Sequence, residues 1–275
     1  MNCAWKELLS ILPPRLRQQT DIFGKDDGLE LRLRLDSPPQ LVRKRDLYRL
    51  EGSVTADDLH YVINMACRYS PWTAGSAANG YLTAPGGHRI GICGEALMKD
   101  GKMEGIREIH SLNIRIARDF PGIGQALCRE CGPMLIIGRP GSGKTTLLRD
   151  LIRQLSCKET VSVVDERGEL FPMGVHRGER MDVLLGCSKA EGIDRVLRTM
   201  TPDTIAIDEI TAEVDTRALM QAAWCGVRLL ATAHAANLED LRSREVYRPL
   251  VERKLFTTVV IMRPDKSYYV ERMVL

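Results

Sequence analysis

Eight consecutive residues, Gly138-Arg-Pro-Gly-Ser-Gly-Lys144-Thr145, carry the most specific chemistry in the chain. Glycines at these spacings let the backbone turn its N–H groups into a nest around phosphate oxygens. Lys144 then reaches the β- and γ-phosphates, and the Thr145 hydroxyl ligates magnesium. The candidate nucleotide-binding residues are Gly138, Pro140, Gly141, Ser142, Gly143, Lys144, Thr145 and Thr146. Average residue usage makes a chance match in a chain this long an event on the order of one per cent. Context strengthens the reading. An apolar run, Met134 to Ile137, precedes this P-loop, and a helical pattern from Thr145 to Leu155 follows, its positive end facing the anion.

Three other apolar runs end in polar residues. Ile205-Ala-Ile-Asp208-Glu209 ends in two carboxylates: Asp208 would hold magnesium through water, and Glu209 would polarise the attacking water. Val163-Val-Asp165-Glu166-Arg-Gly-Glu169 places an acidic cluster after a second run, and Ala231-Thr232-Ala-His234 a threonine and a histidine after a third. In a parallel sheet the C-terminal ends of the strands share one edge, where ligands bind, so the four sets should converge. Each also has a plainer reading: a solvated strand end for Asp208 and Glu209, a solvated turn for Glu166, a satisfied structural histidine for His234.

The elements that must position these residues form two textures. From Met134 onward, short runs rich in Ile and Val (Met134 to Ile137, Val161 to Val164, Ile205 to Ile207, Leu229 to Thr232, then Thr257 to Ile261) alternate with helical patterns. That predicts an α/β core, a mostly parallel central sheet flanked by helices. The earlier part is mixed. Trp5 to Leu12 reads as a short helix closed by Pro13-Pro14; Leu29, Leu31, Leu33 and Leu35 alternate with charged residues as in a strand; Thr55 and Asp58 cap a helix running to about Tyr69. Tyr81 to Ala84 and Arg89 to Cys93 flank a Pro85-Gly-Gly turn, and Leu112, Ile114 and Ile116 alternate again. The expectation is a smaller α+β domain over residues 1–122, a linker over 123–133 with a short helix from Gly124 to Glu130, and the P-loop domain over 134–275.

Composition sets the limits. The 275 residues are 44% hydrophobic and 27% charged, with a formal net charge of +3. That balance disfavours a chain whose main partner is nucleic acid or acidic lipid. Eight scattered cysteines and an N-terminus without a basic flank and apolar core predict a cytoplasmic, reducing compartment. Ala218 to Leu238 fails as a membrane span: Arg228 at its middle costs about 2.5 to 3.5 kcal/mol, and Gln221, His234 and Asn237 add to it. Asp215 and Gly226 instead mark a capped helix, Thr216 to Cys225, that ends and gives way to a strand, so any membrane contact is peripheral. Cys128-Arg-Glu-Cys131 lacks the second ligand pair of a tetrahedral zinc site and reads as ordinary thiols.

Leu197-Arg-Thr-Met-Thr-Pro202-Asp203-Thr-Ile-Ala-Ile-Asp-Glu209-Ile resembles the extended Walker B segment of the type II and type IV secretion ATPases. The run Asp165 to Glu169 resembles their Asp box, and Thr232-Ala-His234-Ala-Ala-Asn237 their His box. With Glu30-Leu-Arg-Leu-Arg34, Pro85 to Gly94 and Ser111 to Arg118, nearly the whole chain is similar to the stage III sporulation protein AA family. The resemblance implies a RecA-like fold and a magnesium-dependent ATPase. It further implies a ring-shaped hexamer with ATP between subunits, serving at the mother-cell side a membrane complex that joins mother cell and forespore.

Secretion ATPases usually carry Gly where this chain has Asp208, and there the base is the Asp-box Glu; Glu209 and Glu166 thus compete for the catalytic role here. By position His234 would sense the γ-phosphate or couple it to motion rather than act as a base. An arginine that stabilises the transferred phosphate is also expected, with Arg32, Arg34, Arg89, Arg115 and Arg118 as candidates for donation across a subunit interface. Two alternatives stay open: a nucleic-acid-dependent RecA-like ATPase, and a nucleotide-gated scaffold with negligible hydrolysis. An ATP-binding cassette protein would need a Leu-Ser-Gly-Gly-type signature, which the sequence lacks.

Overall fold

The computed structural model describes residues 2–25, 27–67, 80–130, 132–171 and 175–273. The chain divides into two units, Met1–Asp119 with Pro172–Val175 and Phe120–Phe171 with His176–Leu275.

The first unit is α+β. Its elements are β1 (Asn2–Cys3), α1 (Trp5–Ile11), α2 (Pro14–Gly24), β2 (Gly28–Arg34), β3 (Gln40–Arg43), β4 (Leu47–Arg49), α3 (Ala56–Cys67), β5 (Tyr81–Ala84), β6 (His88–Lys99), β7 (Lys102–Arg115) and β8 (Arg118–Asp119). Six strands form an antiparallel sheet in the order β4-β3-β2-β7-β6-β5, and β1 pairs with β8. The helices bury Trp5, Leu8, Leu16, Leu59 and Val62 in one core with Leu31, Leu33, Ile90 and Ile114 of the sheet.

Several local devices decide this unit. Pro13 and Pro14 do close α1, but Pro14 also opens a second helix at its first position, where a missing N–H costs nothing. A bulge between Gly28 and Glu30 breaks the alternation of β2, so Leu31 and Leu33 are buried while Leu29 is 38% exposed. Thr55 Oγ1 accepts from the amide of Asp58, and Asp58 Oδ2 accepts from the amide of Thr55, a reciprocal cap that starts α3. That helix is described to Cys67; Tyr69, its expected end, lies outside the described residues. The hairpin turn needs Gly86: its φ is +78°, and an added Cβ would sit 2.4 Å from the Cβ of Ala4. His88 follows, fully buried, with Nε2 donating to the carbonyl of Ala4 at 2.8 Å and Nδ1 accepting from the amide of Ala117 at 3.0 Å.

The second unit holds a seven-stranded sheet. Its strands are β9 (Met134–Ile137), β10 (Val161–Asp165), β11 (Met181–Leu185), β12 (Thr204–Ile207), β13 (Arg228–Ala233), β14 (Thr258–Met262) and β15 (Tyr268–Arg272). Its helices are α4 (Lys144–Leu155), α5 (Lys189–Thr199), α6 (Glu213–Trp224), α7 (Leu238–Ser243) and α8 (Arg248–Glu252). The order is β11-β10-β12-β13-β9-β14-β15, parallel throughout except for β15, which runs against β14. The central strands are buried along their whole length, with Leu135, Ile137, Ile205, Ile207, Leu229 and Ala231 packed on helical residues such as Ile193, Val196, Leu219 and Ala222.

The stretch before β9 differs from expectation. In place of a short helix from Gly124 to Glu130 the chain makes turns and a three-residue 3-10 helix, Leu127–Arg129. The cause is Asp150 in α4: Oδ1 accepts from the amide of Gly122 at 3.0 Å and Oδ2 from the amide of Gly124 at 2.8 Å, while Gly122 sits at φ +91°. Cys131 of the Cys128-Arg-Glu-Cys131 motif lies outside the described residues; the thiol of Cys128 donates to the carbonyl of Gly124. Asp215 caps α6 from inside its first turn, Oδ2 accepting from the amides of Thr211 and Ala212. Among the described residues no helix is long and apolar enough to cross a membrane.

Candidate functional site

In the order β12-β13-β9, the strand that leads to Asp208 is separated from the strand that leads to the P-loop by β13. Ile207 is level with Ala231 and Leu135, and the P-loop strand runs two residues further, to Ile137 opposite Ala233, toward the same edge. Residues that leave these ends share one rim.

The loop itself is set by glycine. A Cβ on Gly138 would sit 2.6 Å from Ser142 Oγ and 2.8 Å from Met262 Cβ, and Gly143, at φ +100°, turns the chain into α4. Pro140 and Gly141 are exposed, and Thr146 is half-buried in the first turn of the helix. Ser142 is buried, and its Oγ has no hydrogen-bond partner among the described residues. The Lys144 ammonium folds back over the loop, donating to the carbonyls of Gly138 at 3.0 Å and Arg139 at 3.2 Å and to Nδ1 of His234 at 3.1 Å. Burial pushes its pKa below the ordinary lysine value, and the nearby carboxylates of Asp208 and Glu209 offset part of that shift.

Asp208 is held from both sides. Thr145 donates its hydroxyl to Oδ2 at 2.8 Å, and Thr232, on the intervening strand, donates to Oδ1 at 2.6 Å. The same Thr232 oxygen accepts the amide of Glu209 at 2.8 Å. Glu209 has φ +56°, a left-handed backbone that is unusual for a residue with a side chain. Its Oε1 lies 3.0 Å from Nε2 of His234. The neutral tautomer with the proton on Nε2 satisfies both ring contacts: Nδ1 accepts from Lys144 and Nε2 donates to Glu209. Tyr247 braces the same rim, donating to the carbonyl of Ile210 at 3.0 Å while its oxygen lies 3.4 Å from the amide of His234.

The acidic cluster after β10 divides by role. Asp165 turns inward and accepts the amides of Glu169, Leu170 and Phe171 at 2.9 Å each, which anchors the loop; burial pushes its carboxyl up against the opposing pull of those amides. Glu166 is ion-paired with Lys189, the first residue of α5 and only 5% exposed. Arg167 reaches Glu209 Oε2 at 3.5 Å. Asp165, Glu166, Glu169, Asp208 and Glu209 line one recess with Arg167 and Lys189.

Lys144, Thr145, Asp208, Glu209 and His234 therefore form one connected set, and Glu166 shares the recess while held by Lys189. Lys189 joins the site although no motif marks it, and Thr232 and Arg167, which lie inside the runs quoted for their neighbours His234 and Glu166, join it as well. Thr232 follows from strand order, whereas the partners of Arg167 and Lys189 lie 42 and 23 residues away. Of the arginines expected to serve across an interface, Arg32 is engaged by Glu30 and Arg34 donates to Gln40.

The donor set beside the loop is hard oxygen, the Thr145 hydroxyl and the Asp208 carboxylate. That suits magnesium, which takes few protein ligands and fills its octahedron with water and phosphate. The Ser142 oxygen, without a partner among the described residues, and the glycine-shaped loop at a helix N-terminus suit a phosphate group.

The family model described as "Sporulation stage III, protein AA" matches residues 5–269. Stage III sporulation protein AA of Bacillus subtilis (strain 168) is 35% identical over 270 residues, which span 91% of this chain and 88% of that protein. The pilus retraction motor PilT, solved with bound ADP, has a TM-score of 0.63 at 14% identity, covering 94% of this chain and 78% of its own. The Legionella pneumophila ATPase DotB has a TM-score of 0.58 at 17% identity, covering 95% and 81%. The chain thus shares the RecA-like α/β fold of these two solved structures. A family pattern that runs from Trp5 to Tyr269, on a chain whose strand ends carry the residues described above, leads to one assignment: the chain belongs to the stage III sporulation protein AA family.

Proposed function

We propose that this chain is a magnesium-dependent ATPase that converts ATP and water into ADP and phosphate. The observation that carries the reading is the contact series Lys144, His234, Glu209, with Thr145 and Asp208 beside it, at the mouth of a P-loop. The ATPase DotB and the pilus retraction motor PilT, solved with bound ADP, share the fold and support the reading by analogy.

Loop amides, Ser142 and Lys144 bind the β- and γ-phosphates, and Thr145 and Asp208 hold the metal side. Magnesium supplies charge neutralisation on the phosphate oxygens when bound. Glu209 orients the attacking water and accepts its proton as the water oxygen bonds to the γ-phosphorus and the bond to the bridging oxygen of ADP breaks. Glu209 rather than Glu166 takes this role because it contacts His234 and acts on Lys144, whereas Glu166 is committed to Lys189. His234 links the lysine that grips phosphate to the carboxylate that handles water, and so reports the state of one to the other.

At the level of the cell, the function proposed is a cytoplasmic motor that works as a ring, a hexamer, docked on the mother-cell side of a membrane complex between mother cell and forespore. The test is ATPase rate against protein concentration with particle size measured in parallel. A rate per chain that rises with assembly supports a site completed by neighbours; a flat rate at constant size refutes the ring, and no hydrolysis at any concentration refutes the enzyme. DNA or RNA that stimulates turnover would replace the membrane partner with nucleic acid.

A further inference from the structure

Two cations line the acidic recess, and they differ in kind. Lys189 is buried and committed to Glu166. Arg167 has a side chain 62% exposed and reaches Glu209 with one guanidinium nitrogen at 3.5 Å, a long and solvated pair that contributes little to stability. Of the two cations lining this recess among the described residues, Arg167 is the one held loosely enough to change partner. It also lies at the end of the contact series in which Lys144, His234 and Glu209 follow one another.

Among the described residues the recess holds five carboxylates against two cations, so a triphosphate held on the neighbouring P-loop faces an excess of negative charge. A guanidinium matches the fork of phosphate oxygens, and such bonds are shorter and stronger than a single-nitrogen contact with a carboxylate. We propose that Arg167 exchanges partners when a nucleoside triphosphate binds: it leaves Glu209 for a γ-phosphate oxygen. The chain then supplies the charge-stabilising arginine of its own site, and the same movement releases Glu209 Oε2 for water. The exchange makes and breaks only hydrogen bonds. It rests on the ATPase reading above and adds to it a residue and a direction of motion.

The full chain, Arg167→Gln and Arg167→Lys are compared in magnesium by titration with fluorescent ADP and with the β,γ-imido analogue of ATP. The expected result is ADP affinity within about twofold of the parent in both variants, a tenfold or greater loss for the analogue in Arg167→Gln, and partial retention in Arg167→Lys. Turnover in Arg167→Gln falls about a thousandfold, as for other arginines that act on a transferred phosphate. Equal loss for both nucleotides, or loss for neither, overturns the proposal while leaving the ATPase reading in place. Restored turnover on mixing Arg167→Gln with Lys144→Ala would put the arginine in a neighbour's site and overturn action within the chain. A parent protein that binds neither nucleotide sinks both readings.

Discussion

The hydroxyl of Thr145 and the carboxylate of Asp208 meet across 2.8 Å, joining the first turn of the P-loop helix to the end of a strand two places away in the sheet. In the proposed site these two groups would hold magnesium. Thr145→Ala is expected to remove most of the gain in nucleotide affinity that magnesium provides, leaving affinity in EDTA unchanged. Titrations with and without the metal check it, and a parental magnesium effect in the variant would count against the assignment.

Thr232 orders the rim by touching Asp208 and the amide of Glu209 with one oxygen. Thr232→Val keeps the shape and deletes both bonds, so turnover should fall about 10- to 100-fold with ADP affinity little changed. Thr232→Ser should recover most of it. Equal turnover in the valine and serine variants would assign the residue to packing alone.

Lys144 is buried among carbonyls and an imidazole. Lys144→Ala should abolish nucleotide-dependent turnover and leave the circular dichroism spectrum unchanged. Near-parental turnover in the purified variant would refute the phosphate-gripping role.

Asp150 is 2% exposed and accepts from the amides of Gly122 and Gly124 and from the side chain of Gln154. Asp150→Ala leaves these donors without an acceptor, so the second unit should lose about 1 to 3 kcal/mol in chemical denaturation. A loss below a few tenths would show that water replaces the carboxylate.

His88 gives the first unit a pH dependence. Burial pushes its pKa below the usual 6.5, against the smaller upward pull of the Ala4 carbonyl and Glu7. The unfolded chain thus takes up a proton that the folded unit refuses. The stability tied to this residue is complete above about pH 6.5 and declines as pH falls below it. Melting temperatures from pH 8 to 5 should drop on that limb in the parent and flatten in His88→Gln; parallel curves would exclude the histidine as the cause.

The parts of the fold legible in the sequence are those specified locally. β9, β12 and β13 are short, apolar and buried on both faces, so an apolar run announces them. β11 and β15 are edge strands with half-exposed patterns, and their residues read equally well as loop. α2 leaves little trace in the sequence because eight of its eleven residues, Pro-Arg-Leu-Arg-Gln-Gln-Thr-Asp-Ile-Phe-Gly, are polar, glycine or proline, and few apolar positions mark a helical face. In the site, the P-loop and Asp208-Glu209 are contiguous motifs. The pairing of Glu166 with Lys189, by contrast, is a tertiary contact that becomes visible only once α5 is placed beside β10.

The left-handed backbone at Glu209 holds its carboxylate by a conformation that its own side chain resists. Such strain amounts to about 1 to 3 kcal/mol. Glycine there would relax the turn and erase the acid at once, and asparagine would go part of the way. In the site proposed above, a single codon change to glycine would therefore trade the acid for a more robust turn.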